Sequence, residues 1–73
     1  MTEKIIKIKE EFIRLDSLMK LSDAVGTGGH AKIVIQNGEV KVNGSVCTMR
    51  GKKMRNGDYF EFENIKVVLK NAD

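Results

Sequence analysis

The chain has 73 residues, of which 41% are hydrophobic and 32% are charged, and its formal net charge is +3. This length suits one small domain, 1–73, that buries about 60% of its unfolded surface and leaves little room for a catalytic cavity. No apolar run approaches the roughly 18 residues that span a bilayer, and the N-terminus does not resemble a secretory signal. The one cysteine, Cys47, excludes an internal disulfide and a cysteine-rich zinc site. We therefore expect a soluble, cytoplasmic protein.

The first two predicted elements are a short edge strand and a short helix. Ile6 and Ile8 alternate with polar residues, which indicates a strand. From Leu15 the apolar period changes to i, i+3, i+4, which predicts an amphipathic helix from Leu15 to about Ser22. Asp16 falls in the first turn of this helix, where its negative charge suits the helix dipole.

A glycine-rich break at residues 26–29 separates this helix from a second one. The second helix has Ala31, Val34 and Ile35 at i, i+3 and i+4. It is expected to end at residues 37–38, Asn-Gly, because glycine is the usual left-handed stop at that position.

After the second helix the pattern changes to period two. A strand at residues 40–42 precedes the dipeptide at residues 43–44, Asn-Gly, which is a strong hairpin signal. The basic segment 50–55 is expected to be a loop, and strands follow at residues 59–63 and 65–69. This order predicts an α+β domain in which two short helices, a helix-turn-helix-like pair, pack on a small, mostly antiparallel sheet.

Positive charge is concentrated between residues 41 and 57. This segment contains no Asp or Glu, whereas the rest of the chain has more carboxylates than cations. Such a cluster usually has an anionic partner, and nucleic acid is the polyanion that binds most strongly to it. A solvated surface run, or docking on an acidic protein partner, would also explain it. The five cations of the segment are Lys41, Arg50, Lys52, Lys53 and Arg55.

The chain has few residues of the types that usually act in catalysis. His30 is the sole histidine, and neither a second histidine nor a cysteine lies near it in sequence. Cys47 lacks an activating neighbour, and the spacing of a nucleotide-binding loop is absent. We expect a protein that is not an enzyme and that uses no cofactor, no metal ion and no small-molecule substrate.

Three segments of the chain, taken in order, resemble the RNA-binding domain named after small-subunit ribosomal protein S4: residues 15–18, 31–38 and 40–44. In that family a helix pair is followed by a Gly-x-Val-x-Val-Asn-Gly hairpin, which here begins at Gly38. The resemblance covers about residues 14–69. Within the family, residues 27–32 and 50–58 are similar to the short stand-alone bacterial branch, the YaaA-like proteins.

The resemblance implies that the chain binds structured RNA through its phosphate backbone, with ribosomal RNA, transfer RNA or the ribosome as partner. Amides near Gly29 to Lys32 in the first turn of the second helix suit a phosphate oxygen. Typical members carry Ser-Arg where this chain has Thr27 and Gly28, which shifts the expected contact toward His30, Lys32 and the basic segment.

The binding surface requires the first turn of the second helix and the basic segment to lie on one side of the molecule. We expect a monomer that presents both elements to one RNA strand. The predicted RNA-binding residues are Lys20, Thr27, Gly28, Gly29, His30, Lys32, Gln36, Lys41, Asn43, Arg50, Lys52, Lys53 and Arg55.

Overall fold

The computed structural model describes residues 1–72, in which two helices and seven strands follow one another along the chain. Their order is β1 (Thr2–Ile8), β2 (Phe12–Arg14), α1 (Leu15–Leu21), α2 (Gly28–Gln36), β3 (Val40–Val42), β4 (Ser45–Val46), β5 (Lys53–Arg55), β6 (Tyr59–Phe62) and β7 (Ile65–Asn71). The predicted α+β fold, a helix pair on a mostly antiparallel sheet, is confirmed.

Five strands form one sheet in the order β1-β7-β6-β3-β4. β1 is an edge strand, as its alternation predicted, and it runs parallel to β7. The other pairs of this sheet are antiparallel. β2 and β5 form a separate antiparallel ribbon of two short strands. No helix within residues 1–72 is long and apolar enough to cross a membrane.

The core lies between the helix pair and one face of the five-stranded sheet, which we call the inner face. Alternate residues of each strand point into it, because successive side chains of a strand lie on opposite faces. The opposite face, the outer face, is exposed on β1 and β3 and half-buried along β6 and much of β7. The core includes Leu15, Leu18 and Met19 of α1, Ala31, Val34 and Ile35 of α2, and Val40, Val42, Phe60, Phe62, Val67 and Leu69 of the sheet.

Local capping explains where α2 begins and ends. The Thr27 hydroxyl accepts a hydrogen bond from the His30 N–H at 3.0 Å, which is the usual contact of a threonine N-cap. The helix ends at the C-cap Asn37, and Gly38 follows with φ of +77°, the left-handed conformation that glycine adopts without strain. The predicted helix stop is therefore confirmed.

The turn between β3 and β4 is the hairpin that the sequence predicted. Asn43 and Gly44 have φ of +51° and +89°, which is the pattern of a two-residue turn with both central residues in the left-handed region. The Asn43 amide also ties this turn to β6, because it donates to the Asp58 carboxylate and accepts from the Tyr59 N–H.

The prediction of a loop for residues 50–55 is wrong in its second half. Lys53–Arg55 form β5, which pairs with β2, a strand that the sequence pattern did not indicate. Met54 is fully buried and lies opposite Ile13 in the ribbon. One buried residue between two exposed cations thus anchors the basic segment to the core.

Candidate nucleic-acid interface

The exposed side of the β2–β5 ribbon carries one aromatic and three cationic side chains. Phe12 lies opposite Arg55 and Arg14 lies opposite Lys53, whereas Ile13 and Met54 turn toward the core. Residues directly opposite each other in an antiparallel pair share a face. We call this four-residue surface, Phe12, Arg14, Lys53 and Arg55, the basic ribbon.

Phe12 holds two of these cations in place. The Lys53 Nζ lies 4.9 Å from the centroid of the Phe12 ring, and the Arg55 Cζ lies 5.5 Å from it. Both distances are within the range of cation–π attraction, which is worth about 0.5–1 kcal/mol at an exposed site. The ring is 37% exposed, so it remains accessible between the two charges.

The loop before β5 places two more cations beside the basic ribbon. Its carbonyl oxygens at Lys52 and Arg50 accept hydrogen bonds from the N–H groups of Leu15 and Asp16 at 2.8 and 3.1 Å. These bonds satisfy amides at the start of α1 that have no partner within the helix. The loop is therefore fixed against the positive end of the α1 dipole, which adds to the local positive potential.

Most of this positive charge is not neutralised within the protein. Among residues 1–72, the one ion pair joins Arg14 Nη2 to Asp16 Oδ2 at 3.0 Å. The Arg14 guanidinium also lies over the backbone of Gly51, where an added Cβ would stand 3.7 Å from Nη2. The charged side-chain groups of Arg50, Lys52, Lys53 and Arg55 have no carboxylate within 4.0 Å in this part of the chain, and all four residues are exposed. The Asp58 carboxylate accepts from the backbone N–H of Arg55 and not from its guanidinium. They are free to meet an external anion.

The first turn of α2 offers fewer free amides than the sequence indicated. The His30 N–H is already bound by the Thr27 hydroxyl, and the Ala31 N–H donates to the Thr27 carbonyl. Within residues 1–72, the N–H groups of Gly28 and Gly29 donate to no other group. The amides open to a ligand are thus those of the two glycines, and no acidic residue lies in this turn.

The polar side chains predicted on the helices are exposed. Lys20 lies in the last turn of α1, and Lys32 and Gln36 lie on the side of α2 away from Ala31, Val34 and Ile35. α1 packs against α2 and receives the 50–52 loop at its N-terminus. α1 therefore connects the two halves of the predicted surface. That both halves meet one RNA strand stays a prediction.

Lys41, one of the predicted RNA-binding residues, lies on the side of the sheet away from the helices. Its neighbours Val40 and Val42 fill the inner face, so Lys41 projects from the outer face, opposite Glu61. It lines a depression with Glu39, Glu61 and Glu63. Alternation in β3 thus separates Lys41 from the other four cations of its segment and surrounds it with carboxylates.

Asn43 has a structural explanation that requires no ligand. Both ends of its side-chain amide are occupied, by the Asp58 carboxylate at 3.1 Å and the Tyr59 N–H at 3.0 Å. These contacts fix the hairpin against β6, and an RNA contact would have to compete with them.

Two residues of the basic ribbon, Phe12 and Arg14, were missed by sequence reasoning. They lie about 40 positions before β5 in the chain, and only the long-range pairing of β2 with β5 brings them to the cations. The available signal was two neighbouring residues that favour strands, Phe12 and Ile13, before Arg14. Three residues are too few to establish a strand period.

Comparison with known proteins places this arrangement in a family. The family model described as S4 domain matches residues 6–70. The chain belongs to the S4 domain family. It is also similar to the probable ribosome maturation protein RlbA of Bacillus subtilis (strain 168), with 40% identity over 58 residues, which are 80% of this chain and 82% of that protein.

Membership in the S4 domain family agrees with the resemblance that the helix pair and the hairpin suggested. The match begins within β1 and ends within β7, so it includes both strands of the basic ribbon and both helices. Membership in this family indicates a role in RNA binding, and the name of the relative connects that protein with ribosome maturation. The family points to a binding module.

Proposed function

We propose that this S4 domain binds structured RNA of the ribosome or its precursors, and that the basic ribbon and two cations of the loop before β5, Arg50 and Lys52, contact the phosphate backbone. The observation that carries the proposal is that four exposed residues, Arg50, Lys52, Lys53 and Arg55, have charged side-chain groups with no carboxylate within 4.0 Å among residues 1–72. Charge held in this way, without internal pairing, is available to phosphates at no cost of breaking an ion pair.

The first turn of α2 supplies the second contact. The free N–H groups of Gly28 and Gly29 point along the helix axis, where the dipole favours an anion. Lys32 lies one turn further along on the exposed side, and Lys20 and Gln36 extend the polar surface. A sugar-phosphate strand that meets both the basic ribbon and this turn has its register fixed at two points.

Phe12 gives the surface a feature that a purely ionic contact lacks. An unpaired base stacks on the Phe12 ring by replacing a cation over its face, and the displaced charge then binds the adjacent phosphate. Such a contact favours helical RNA with a bulge, a loop or an end over a uniform duplex. The name of the relative, a probable ribosome maturation protein, supports ribosomal RNA as the partner and the cytoplasm as its place of action.

The competing function is docking of the same basic surface on an acidic protein. Fluorescence anisotropy with a labelled fragment of ribosomal RNA, with transfer RNA and with polyglutamate separates the two. We expect RNA to bind with a log–log salt slope of about −0.7 to −0.9 per phosphate contact, and polyglutamate to compete poorly. Equal binding of polyglutamate and RNA would refute the proposal.

Crosslinking in cells, followed by sequencing of the attached RNA, would name the target. We expect reads from ribosomal RNA to be enriched over an otherwise identical strain that carries Lys52→Ser and Lys53→Ser. Reads that do not change between the two strains would mean that the crosslinks do not depend on these two lysines.

A further inference from the structure

β1 is a seven-residue edge strand with one side unoccupied. It pairs with β7 along its whole length, from Thr2 opposite Ile65 to Ile8 opposite Asn71. Within residues 1–72, no strand pairs with its other side. An exposed strand edge of this length is a template for another strand, unless the side chains along it oppose pairing.

The hydrogen bonds at the two ends of β1 identify which backbone groups are free. The Thr2 N–H donates to the Asn64 carbonyl at 2.7 Å, and the Ile8 carbonyl accepts from the Ala72 N–H at 2.8 Å. In a parallel pair, alternate residues direct both backbone groups to the same neighbour. The even-numbered residues of β1 therefore face β7, and Glu3, Ile5 and Lys7 direct their N–H and C=O groups to the open edge.

The side chains of the same three residues lie on the outer face of the sheet. Ile5 is 58% exposed, although it is an isoleucine in the middle of a strand. Lys7 lies next to Lys70 in the register of the sheet, and it has no carboxylate within 4.0 Å among residues 1–72. In this part of the chain Glu3 forms no ion pair either. The open edge thus presents an exposed apolar side chain between a carboxylate and an ammonium group.

We propose that this edge binds the β1 of a second copy of the chain, antiparallel, about a two-fold axis at Ile5. In this register Ile5 lies opposite Ile5 of the second copy, and Glu3 lies opposite Lys7 at both ends. All three are hydrogen-bonded pairs of an antiparallel ladder, in which the two opposite residues bond through both their N–H and C=O groups. The free N–H and C=O groups of the edge are therefore all used. The two sheets become one continuous sheet with an apolar pair between two ion pairs.

The order of charges along β1 selects this register. A shift of two residues in one direction places Lys4 opposite Lys4 of the second copy, which is a like-charge contact. A shift in the other direction places Lys7 opposite Ile5 and moves the partner of Glu3 beyond the end of β1. Charges on an edge strand usually prevent pairing. Here they have opposite signs at equal distances from Ile5, so they favour a second copy.

This proposal departs from the monomer expected from the sequence, and it is independent of RNA binding. Sedimentation equilibrium of the full chain at low salt tests it. We expect a concentration-dependent approach to twice the 8.2 kDa mass of one chain. Hydrogen exchange at the amides of Glu3, Ile5 and Lys7 is expected to slow as the protein concentration rises, because those amides become bonded.

Charge reversal separates pairing in this register from an effect of net charge, because net charge alone predicts the wrong result for Lys7→Glu. Glu3→Lys raises the net charge and Lys7→Glu lowers it, yet each places like charges opposite each other at both ends, and each is expected to weaken self-association about tenfold. An equimolar mixture of the two variants restores unlike pairs and is expected to associate as a heterodimer. The control is Glu39→Lys, at the position directly before β3. This variant is expected to associate like the parent chain.

Three outcomes would overturn the proposal. One is a parent chain that stays monomeric to millimolar concentration. Another is self-association that the single variants leave unchanged, because the interface would then lie elsewhere. The third is a mixture of Glu3→Lys and Lys7→Glu that associates no better than either variant alone. Circular dichroism of each variant checks that the fold is retained.

Discussion

Replacement of one lysine in the loop before β5 and one in the basic ribbon tests whether these positions bind RNA. A control variant replaces two other lysines by the same residue type. The variant Lys52→Ser with Lys53→Ser removes two exposed cations that have no carboxylate within 4.0 Å among residues 1–72. The control, Lys41→Ser with Lys70→Ser, removes two exposed lysines from the outer face of the sheet. Both variants lower the net charge from +3 by the same amount. A difference between them therefore reports position, not total charge.

The expected magnitude follows from the number of phosphates that the variant can no longer bind. An exposed charge-assisted contact is worth about 1 kcal/mol, so two such contacts correspond to about 2 kcal/mol, or roughly a 30-fold weaker Kd at low salt. The log–log salt slope should become shallower by about 1.4 to 1.8. The control is expected to raise the Kd by less than about threefold. The lysines that it removes lie on the opposite face, so salt screens most of their effect on the bound RNA.

Fluorescence anisotropy with a ribosomal RNA fragment measures both quantities across a salt series. Denaturant unfolding of each variant checks that stability is retained, since all four lysines are exposed. Equal weakening in the two variants would refute the reasoning, because RNA binding would then depend on total charge and not on the position of Lys52 and Lys53.

Three further predictions concern single positions. Lys32→Glu is expected to weaken RNA binding more than Lys32→Ala, because it adds a negative charge beside the proposed phosphate; equal affinities would place Lys32 outside the interface. Phe12→Leu keeps the charge and the apolar contact but removes the ring, and it is expected to weaken binding to RNA with unpaired bases by about 1 kcal/mol while duplex binding is retained. Gly44→Ala is expected to lower the free energy of unfolding, measured in urea, by about 1 kcal/mol or more, because the φ of Gly44 is +89°. Gly26→Ala should lower it far less, since open space surrounds Gly26. A Gly44→Ala variant as stable as the parent chain would contradict the turn geometry.

The parts of the fold that local chemistry determines were predictable from the sequence. The two helices follow from apolar spacing, and the stop of α2 and the β3–β4 turn follow from glycines that require positive φ. The edge strand β1 followed from its alternation. Each of these signals lies within a few neighbouring residues, so no knowledge of distant contacts was needed.

The parts that depend on long-range pairing were not predictable in the same way. β5 was interpreted as a loop because charged residues flank its one buried position, Met54, and a single apolar residue does not indicate a strand. Its partner β2 has three residues, too few for a recognisable period. Distance along the chain was also a poor guide to the site, because it grouped Lys41 with the basic segment while alternation in β3 sends that side chain to the outer face.

The most direct test of the central claim, that RNA contacts the basic ribbon and the first turn of α2 together, is an NMR titration of the full chain with a ribosomal RNA fragment. The account predicts that the backbone amide signals of Arg14, Lys53, Arg55, Gly28 and Gly29 shift in parallel with a single affinity, while those of Lys41 and Lys70 stay in place. Shifts confined to the outer face of the sheet, or shifts in the ribbon without any in α2, would contradict it.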